Sequence, residues 1–160
     1  MSEKTKSYVF NSASYGTHSL IAQEIGEHQL VLDVGCNRGY LKRLAPNNEF
    51  YGIDFSEDDL KQALDASYTA VFQLDLNRYE EFVCDRKFDV IIFADVLEHL
   101  MYPHDVLDFF SKKYLKEGGK IIISLPNVAN ITIRLGLLFG KFDYTENGIL
   151  DKTHFHLYTK

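Results

Sequence analysis

The stretch Val31-Leu32-Asp33-Val34-Gly35-Cys36-Asn37-Arg38-Gly39 constrains this chain more than any other feature. An apolar run delivers an acid and then a glycine-bracketed turn, which is how an α/β fold opens a nucleotide pocket at the end of its first strand. A second apolar run, Phe50-Tyr51-Gly52-Ile53, ends in another acid, Asp54, nineteen residues past Gly35. Gly35 and Gly39 permit a tight turn with close backbone approach to a ligand, and an acid at the tip of the next strand is placed to accept two hydrogen bonds from ribose hydroxyls. Together they point to an adenosine-containing cofactor.

The details of the turn narrow the cofactor. Asn37 and Tyr40 stand where the second and third glycines of a dinucleotide fingerprint would fall, and Asp33 sits two residues before the first glycine. A carboxylate there opposes a pyrophosphate and suits a ligand carrying an ammonium group. The same features disfavour a nicotinamide-dependent oxidoreductase. At these residues the sequence resembles the class I S-adenosylmethionine-dependent methyltransferases, whose first motif reads roughly acid-x-Gly-x-Gly-x-Gly. Asn37 departs at the middle glycine, although Asn tolerates a left-handed backbone and can keep the turn. The resemblance implies S-adenosyl-L-methionine as cofactor and S-adenosylhomocysteine as product.

Length and composition agree with a single domain spanning residues 1–160. Hydrophobic residues make up 46% of the chain, enough for a buried sheet, and the net charge of −6 argues against a broad phosphate-binding face. The expected partner is a small-molecule acceptor, not nucleic acid. Cys36 and Cys84 form no C-x-x-C pair and read as small packed residues; with no signal peptide and no transmembrane run, a cytoplasmic location and no membrane partner are expected.

Strands and helices alternate along the chain. After a polar leader, residues from about Thr17 to Glu27 read as a helix with Leu20, Ile21 and Ile25 on one face, followed by a strand over Leu30 to Val34 and a short helix stopped near Pro46. Phe50 to Ile53 is the second strand. Ser56 with Glu57, Asp58 and Asp59 behind it marks a helix N-terminus, and Leu60, Ala63 and Leu64 supply its apolar stripe. Strands follow near Ala70 to Leu74, Phe88 to Phe93 and Lys120 to Leu125, with a helix over Asp105 to Tyr114 before Gly118-Gly119. The alternation predicts an α/β fold with a doubly wound, Rossmann-like parallel sheet.

In strand order, the carboxyl ends of the first four strands carry Asp33, Asp54, Asp75 and Asp95, and ligands of open α/β sheets bind along that edge. By resemblance to the methyltransferases, Asp33 lies near the methionine amino group and Asp54 on the ribose, with Asp75 and Leu76 beside the adenine. Phe55 packs on the adenine or ribose, Phe93, Ala94 and Asp95 border the methionyl end, and Gly35, Cys36, Asn37 and Gly39 form the cofactor turn.

Asp95-Val96-Leu97-Glu98-His99-Leu100 follows the fourth strand, on the side where an acceptor would sit. Its acid-x-x-Glu-His pattern is similar to that of ubiquinone-pathway and small-RNA 2′-O-methyltransferases, in which acid and His residues bind a divalent cation. Asp95, Glu98 and His99 are the set that Mg²⁺ or Mn²⁺ would use. The expectation is nevertheless that no metal binds, with Glu98 capping or pairing and His99 packing, because Leu-Glu-His-Leu is common among members of the superfamily with no known metal and a convincing site needs a further ligand; His154 or His156 could supply it. The tail Asp151-Lys152-Thr153-His154-Phe155-His156-Leu157-Tyr158-Thr159 resembles an Asp-Arg-Thr-His-x-Arg-x-Phe-Thr motif of small-molecule methyltransferases, with His156 where Arg is usual. No Asn/Asp-Pro-Pro-aromatic block of the amino-methylating enzymes is present. O-methylation of a small molecule is therefore the expected reaction, with His99, His154 and Asp95 as catalytic residues, since a hydroxyl acceptor needs a base. The alternative is a non-catalytic cofactor-binding or scaffold protein.

Ile131 to Phe139 is too short to cross a bilayer and reads as a cover for the acceptor pocket or a segment packed on the sheet. The family normally continues past the position of Lys160 into another helix and a closing antiparallel hairpin, so the domain is expected to be C-terminally truncated relative to it. Its fifth strand would then present an edge open to a homodimer.

Overall fold

The computed structural model describes residues 16–159; residues 1–15, which make up almost all of the polar leader, and Lys160 lie outside the described residues. Five strands form one sheet: β1 (Leu30–Val34), β2 (Glu49–Asp54), β3 (Ala70–Gln73), β4 (Phe88–Ala94) and β5 (Leu115–Ser124). All pairings are parallel, in the order β3-β2-β1-β4-β5. The chain thus winds outward from β1 in one direction, then returns to β1's other side for β4. A crevice opens at that reversal, beyond the carboxyl ends of β1 and β4.

Side-chain parity divides the core into two layers. Leu32, Val34, Ile91 and Phe93 face Val106, Phe110 and Tyr114 of α4 (Pro103–Tyr114). Val31, Phe50, Val90 and Ile92 face Ile21 and Ile25 of α1 (Thr17–Ile25), Leu41 of α2 (Tyr40–Leu44), and Leu60 and Ala63 of α3 (Glu57–Asp65). A strand covered on both faces reads as a continuous apolar run, which is why β4 was legible in the sequence. Leu20 and Leu64, expected in the buried stripes of α1 and α3, are exposed. Each sits at the margin of a stripe only two residues wide, where helical periodicity decides least.

The helix signals act as the sequence implies. Ser56 Oγ accepts the Asp59 N–H at 3.3 Å, capping α3, whose first turn carries three acids. α4 starts at Pro103, two residues before its expected boundary, because proline is accommodated in the first helical turn. β5 begins earlier than expected, at Leu115, and shifts register between its pairings with Phe88 and Val90, which absorbs Gly118 and Gly119. Among the described residues, no strand pairs with the outer side of β5, so the sheet is not closed.

Ile131–Leu138 forms a helix, α5, with no buried residue, and none of its side chains lines the central cavity. The expected cover for the pocket is therefore not what this segment provides here. Ile131, Leu135, Leu137 and Leu138 are exposed. No helix of the described residues is long and apolar enough to cross a membrane.

Candidate functional site

A cavity of about 670 Å³ occupies the crevice, within the range of small-molecule sites. Asp33, Asp54, Asp75 and Asp95 all line it, as do Gly35, Cys36, Asn37, Phe55, Leu76 and Ala94. Four acids separated by up to sixty-two residues converge on one rim because parallel strands place all their carboxyl ends together.

Asp54 is buried and holds the glycine turn. Its Oδ2 accepts the Asn37 N–H at 2.9 Å and its Oδ1 accepts the Ser56 N–H at 3.0 Å. Each oxygen keeps lone-pair capacity for a ligand. Burial raises its pKa, and the two backbone donors oppose that rise. Asn37 adopts a φ of 46°, the left-handed conformation that a glycine would otherwise supply. Asp33 is 2% exposed, and burial raises its pKa to about 7; the Tyr68 hydroxyl, donating to Oδ2 at 2.6 Å, lowers it and the nearby Asp54 raises it. Phe55 stands 72% exposed, its ring beside the cavity.

Asp75 caps the 3-10 turn Leu76–Glu81, accepting the Asn77 N–H at 2.9 Å. Asp95 has a φ of 53°, and its Oδ1 accepts from Ser124 Oγ at 2.9 Å. The Asp95 N–H in turn reaches both Ser124 O and Ser124 Oγ, so the end of β5 fixes the acid that follows β4.

Two expected cofactor residues lie elsewhere. Phe93 is fully buried against Phe110, on the α4 face of β4, because parity turns it away from the cavity that Ala94 reaches. Gly39 does not line the cavity; a Cβ there would meet the Tyr68 ring at 2.8 Å. Its role is to admit that ring. Conversely, His18, Tyr40, Leu74, Asn77, Val96 and Leu100 line the cavity without having been singled out. His18 comes from α1, and no local motif marks it.

The acceptor-side histidines separate. His99 lines the cavity, whereas His154 packs beside it, ring centroids 4.7 Å apart, outside the lining. Thr153 O and Oγ1 lie 3.3 and 3.2 Å from His99 Nδ1. Burial, and after it the neighbouring His154, lowers the His99 pKa, favouring neutral imidazole. The tail is strapped over the block: the Phe155 and His156 N–H groups donate to Glu98 O at 2.8 and 3.3 Å. His156 Nε2 lies 3.4 Å from Met101 O, and His28 and His104 are exposed.

Glu98 is 1% exposed, and its Oε2 has no hydrogen-bond partner among the described residues. Burial raises its pKa to about 7, with Asp95 adding to the rise. Ligand atoms of Glu98, His99 and His154 all lie within 4.8 Å of one another. Asp95, expected in this set, is absent from it; its carboxylate is turned to Ser124. Burial drives the Cys36 thiol pKa far up, leaving it packing material and not a nucleophile.

A parallel sheet wound both ways from β1, with an acidic rim around one cavity at the switch point, defines a Rossmann-like domain built to hold a nucleoside-bearing ligand. The chain belongs to the methyltransferase domain family, whose model matches residues 8–160, and within it has the class I S-adenosylmethionine-dependent architecture. It is similar to the mitochondrial ubiquinone biosynthesis O-methyltransferase of Candida albicans, 35% identical over 106 residues that cover 61% of this chain and 32% of the relative. The corresponding enzyme of Glaesserella parasuis serovar 5 is 33% identical over 107 residues, 61% of this chain and 45% of the relative. The matched stretch thus spans less than half the length of either curated relative. Among solved structures, the N-methyltransferase NodS of Bradyrhizobium japonicum, in complex with S-adenosyl-L-homocysteine, superposes with a TM-score of 0.58 at 23% identity, covering 74% of this chain and 63% of that one.

Proposed function

We propose that this domain binds S-adenosyl-L-methionine in the central cavity and methylates a hydroxyl of a small molecule. The observation that carries the reading is the convergence of Asp33, Asp54, Asp75 and Asp95 on one cavity beside an exposed aromatic ring. The residues fit the cofactor. Asp54 has acceptor capacity left for ribose hydroxyls, Asp33 offers a buried carboxylate to an ammonium, and Phe55 offers a face for the adenine. Bound there, the cofactor supplies a methyl group on a sulfonium, with a neutral thioether as leaving group.

The chain's own work is placement and proton removal. Ala94 and Asp95 border the end of the cavity away from Asp75, and His18 and His99 stand beside them as titratable groups. His99 is the proposed base: it is neutral and its Nδ1 is engaged by Thr153, leaving Nε2 for a proton. His154 is proposed to act behind it. The two curated relatives, both O-methyltransferases by name, support oxygen as the methylated atom.

A divalent cation on Glu98, His99 and His154 is the alternative to a His99 base, since it would claim the nitrogen left for the proton, and Glu98 Oε2, without a hydrogen-bond partner among the described residues, favours it. The further ligand that such a site needs would be His154, whose ligand atom lies within 4.8 Å of those of Glu98 and His99. One carboxylate and two imidazoles suit Mn²⁺, Fe²⁺ or Zn²⁺ better than Mg²⁺. Held there, a cation would favour the ionised acceptor oxygen. Calorimetric titration with S-adenosylhomocysteine tests the cofactor, and Mn²⁺ titration followed by electron paramagnetic resonance tests the metal alone. Micromolar binding with methylated phenolic or alcoholic product supports the enzyme; cofactor binding with no product across hydroxyl acceptors makes the domain a non-catalytic binder. No loss of free Mn²⁺ signal would remove the cation from the reading.

A further inference from the structure

Tyr68 sits outside every motif, in the link between α3 and β3, yet the structure is arranged around it. Its hydroxyl donates to Asp33 Oδ2 at 2.6 Å, thirty-five residues away in sequence, with Tyr68 4% and Asp33 2% exposed. The ring reaches that carboxylate through a slot with two glycine walls. A Cβ at Gly39 would lie 2.8 Å from Tyr68 Cε2, and one at Gly52 would lie 3.0 Å from Tyr68 Cδ1 and 2.6 Å from Cys36 Sγ. Contacts that close are not tolerated by real side chains. Phe50 closes the slot from below, ring centroids 5.2 Å apart, and Tyr68 N–H is tied to Ala63 O at 3.1 Å. Two glycines, a β2 aromatic and the end of α3 thus aim one hydroxyl at one oxygen.

That oxygen belongs to the acid at the cavity that the cofactor reading assigns to the ligand's ammonium group. We propose that Tyr68 is a positioning residue for cofactor binding: its hydroxyl, admitted between Gly39 and Gly52, fixes the Asp33 carboxylate so that it presents its other oxygen, charged, to the ammonium of the bound cofactor. The inference rests on that reading of the site and goes beyond it, because it assigns the selectivity of the amino-acid end of the pocket to a residue that touches no ligand. A carboxylate this deeply buried would otherwise hold its proton.

The titratable groups that act on Asp33 are Tyr68 and, at the end of β2, Asp54, and Asp33 in turn acts on Cys36 in the turn; Asp59 of α3 acts on Cys36, while Asp95 after β4 and His18 of α1 line the same cavity. Asp59 is paired with Arg38 at 2.9 Å. Asp54 pushes the Asp33 pKa up and the Tyr68 hydroxyl holds it down, so removing the hydroxyl has a defined sign.

The experiment is the affinity of wild type, Tyr68→Phe and Asp33→Asn for S-adenosylhomocysteine from pH 5.5 to 9, with the Asp33 side-chain carboxyl followed by carbon NMR in the ligand-free chain. Wild-type affinity is expected to fall as pH drops through about 7. In Tyr68→Phe the fall moves upward by about one pH unit, with about a fivefold loss at pH 7 that approaches tenfold at lower pH, and recovery at pH 9. The carboxyl titration shifts by the same amount, and Asp33→Asn abolishes the pH dependence. Wild type that binds no ligand overturns the cofactor reading and the inference with it. Wild type that binds, with coincident profiles for Tyr68→Phe in affinity and NMR, overturns the inference alone. A uniform loss of Tyr68→Phe affinity at all pH values does so too, since it marks Tyr68 as packing.

Discussion

Glu98 carries a carboxyl that folding has taken out of water without giving Oε2 a partner among the described residues. Its pKa rises from the ordinary 4.5 to about 7, so the folded chain holds this proton more tightly than the unfolded one. Glu98 therefore supports the fold fully below pH 4.5, and that support is lost as the pH rises to about 7. Glu98→Gln is expected to stabilise the metal-free chain at pH 8 by on the order of 1–3 kcal/mol and to be nearly neutral at pH 4.5. Urea denaturation at the two pH values measures the difference, and an equal effect at both would refute the assignment. Asp54→Asn keeps the size of the side chain but loses its charge and one acceptor. A loss of S-adenosylhomocysteine affinity of roughly 10- to 100-fold is expected by calorimetry. An unchanged dissociation constant would show that Asp54 holds only the turn. The acids were legible as residues because each ends an apolar run; Glu98's lack of a partner was not, since it depends on what the tail brings over it.

At the level of elements, the α3 cap is readable from Ser56 and the three acids behind it, and it formed. Ser56→Ala should cost about 1 kcal/mol, measured by thermal or chemical unfolding, because the Asp59 N–H loses its acceptor. Gly52→Ala tests a feature that local sequence hides. The strand tolerates any residue by backbone conformation, but the new methyl meets Cys36 Sγ and the Tyr68 ring, so a loss of about 1–3 kcal/mol is expected in the same assay. Parity explains the misplaced Phe93: the end of β4 was legible as an apolar run, whereas the face each residue takes follows from register with β1 and β5. The same limit applies to α5, whose apolar composition did not record what it packs against.

For the whole molecule, the order β3-β2-β1-β4-β5 leaves the outer side of β5 unpaired among the described residues, with Ile123 exposed. Such an edge is a template for another strand, and a homodimer through it is our expectation. Light scattering at micromolar concentration measures it, and a monomer there would sink the dimer. Sequence alone determined the alternation of strands and helices, the glycine turn after β1 and the acids at the strand ends, because those signals are local: an apolar run, a left-handed turn residue and a charge lie within a few positions of one another. Tertiary structure decided the rest. It brought His18 of α1 to the cavity, set His154 behind His99 in place of Asp95, and threaded Tyr68 between two glycines to reach Asp33. Those contacts join residues that pack together only after the sheet has formed, and no spacing along a chain records which side chains will share a space.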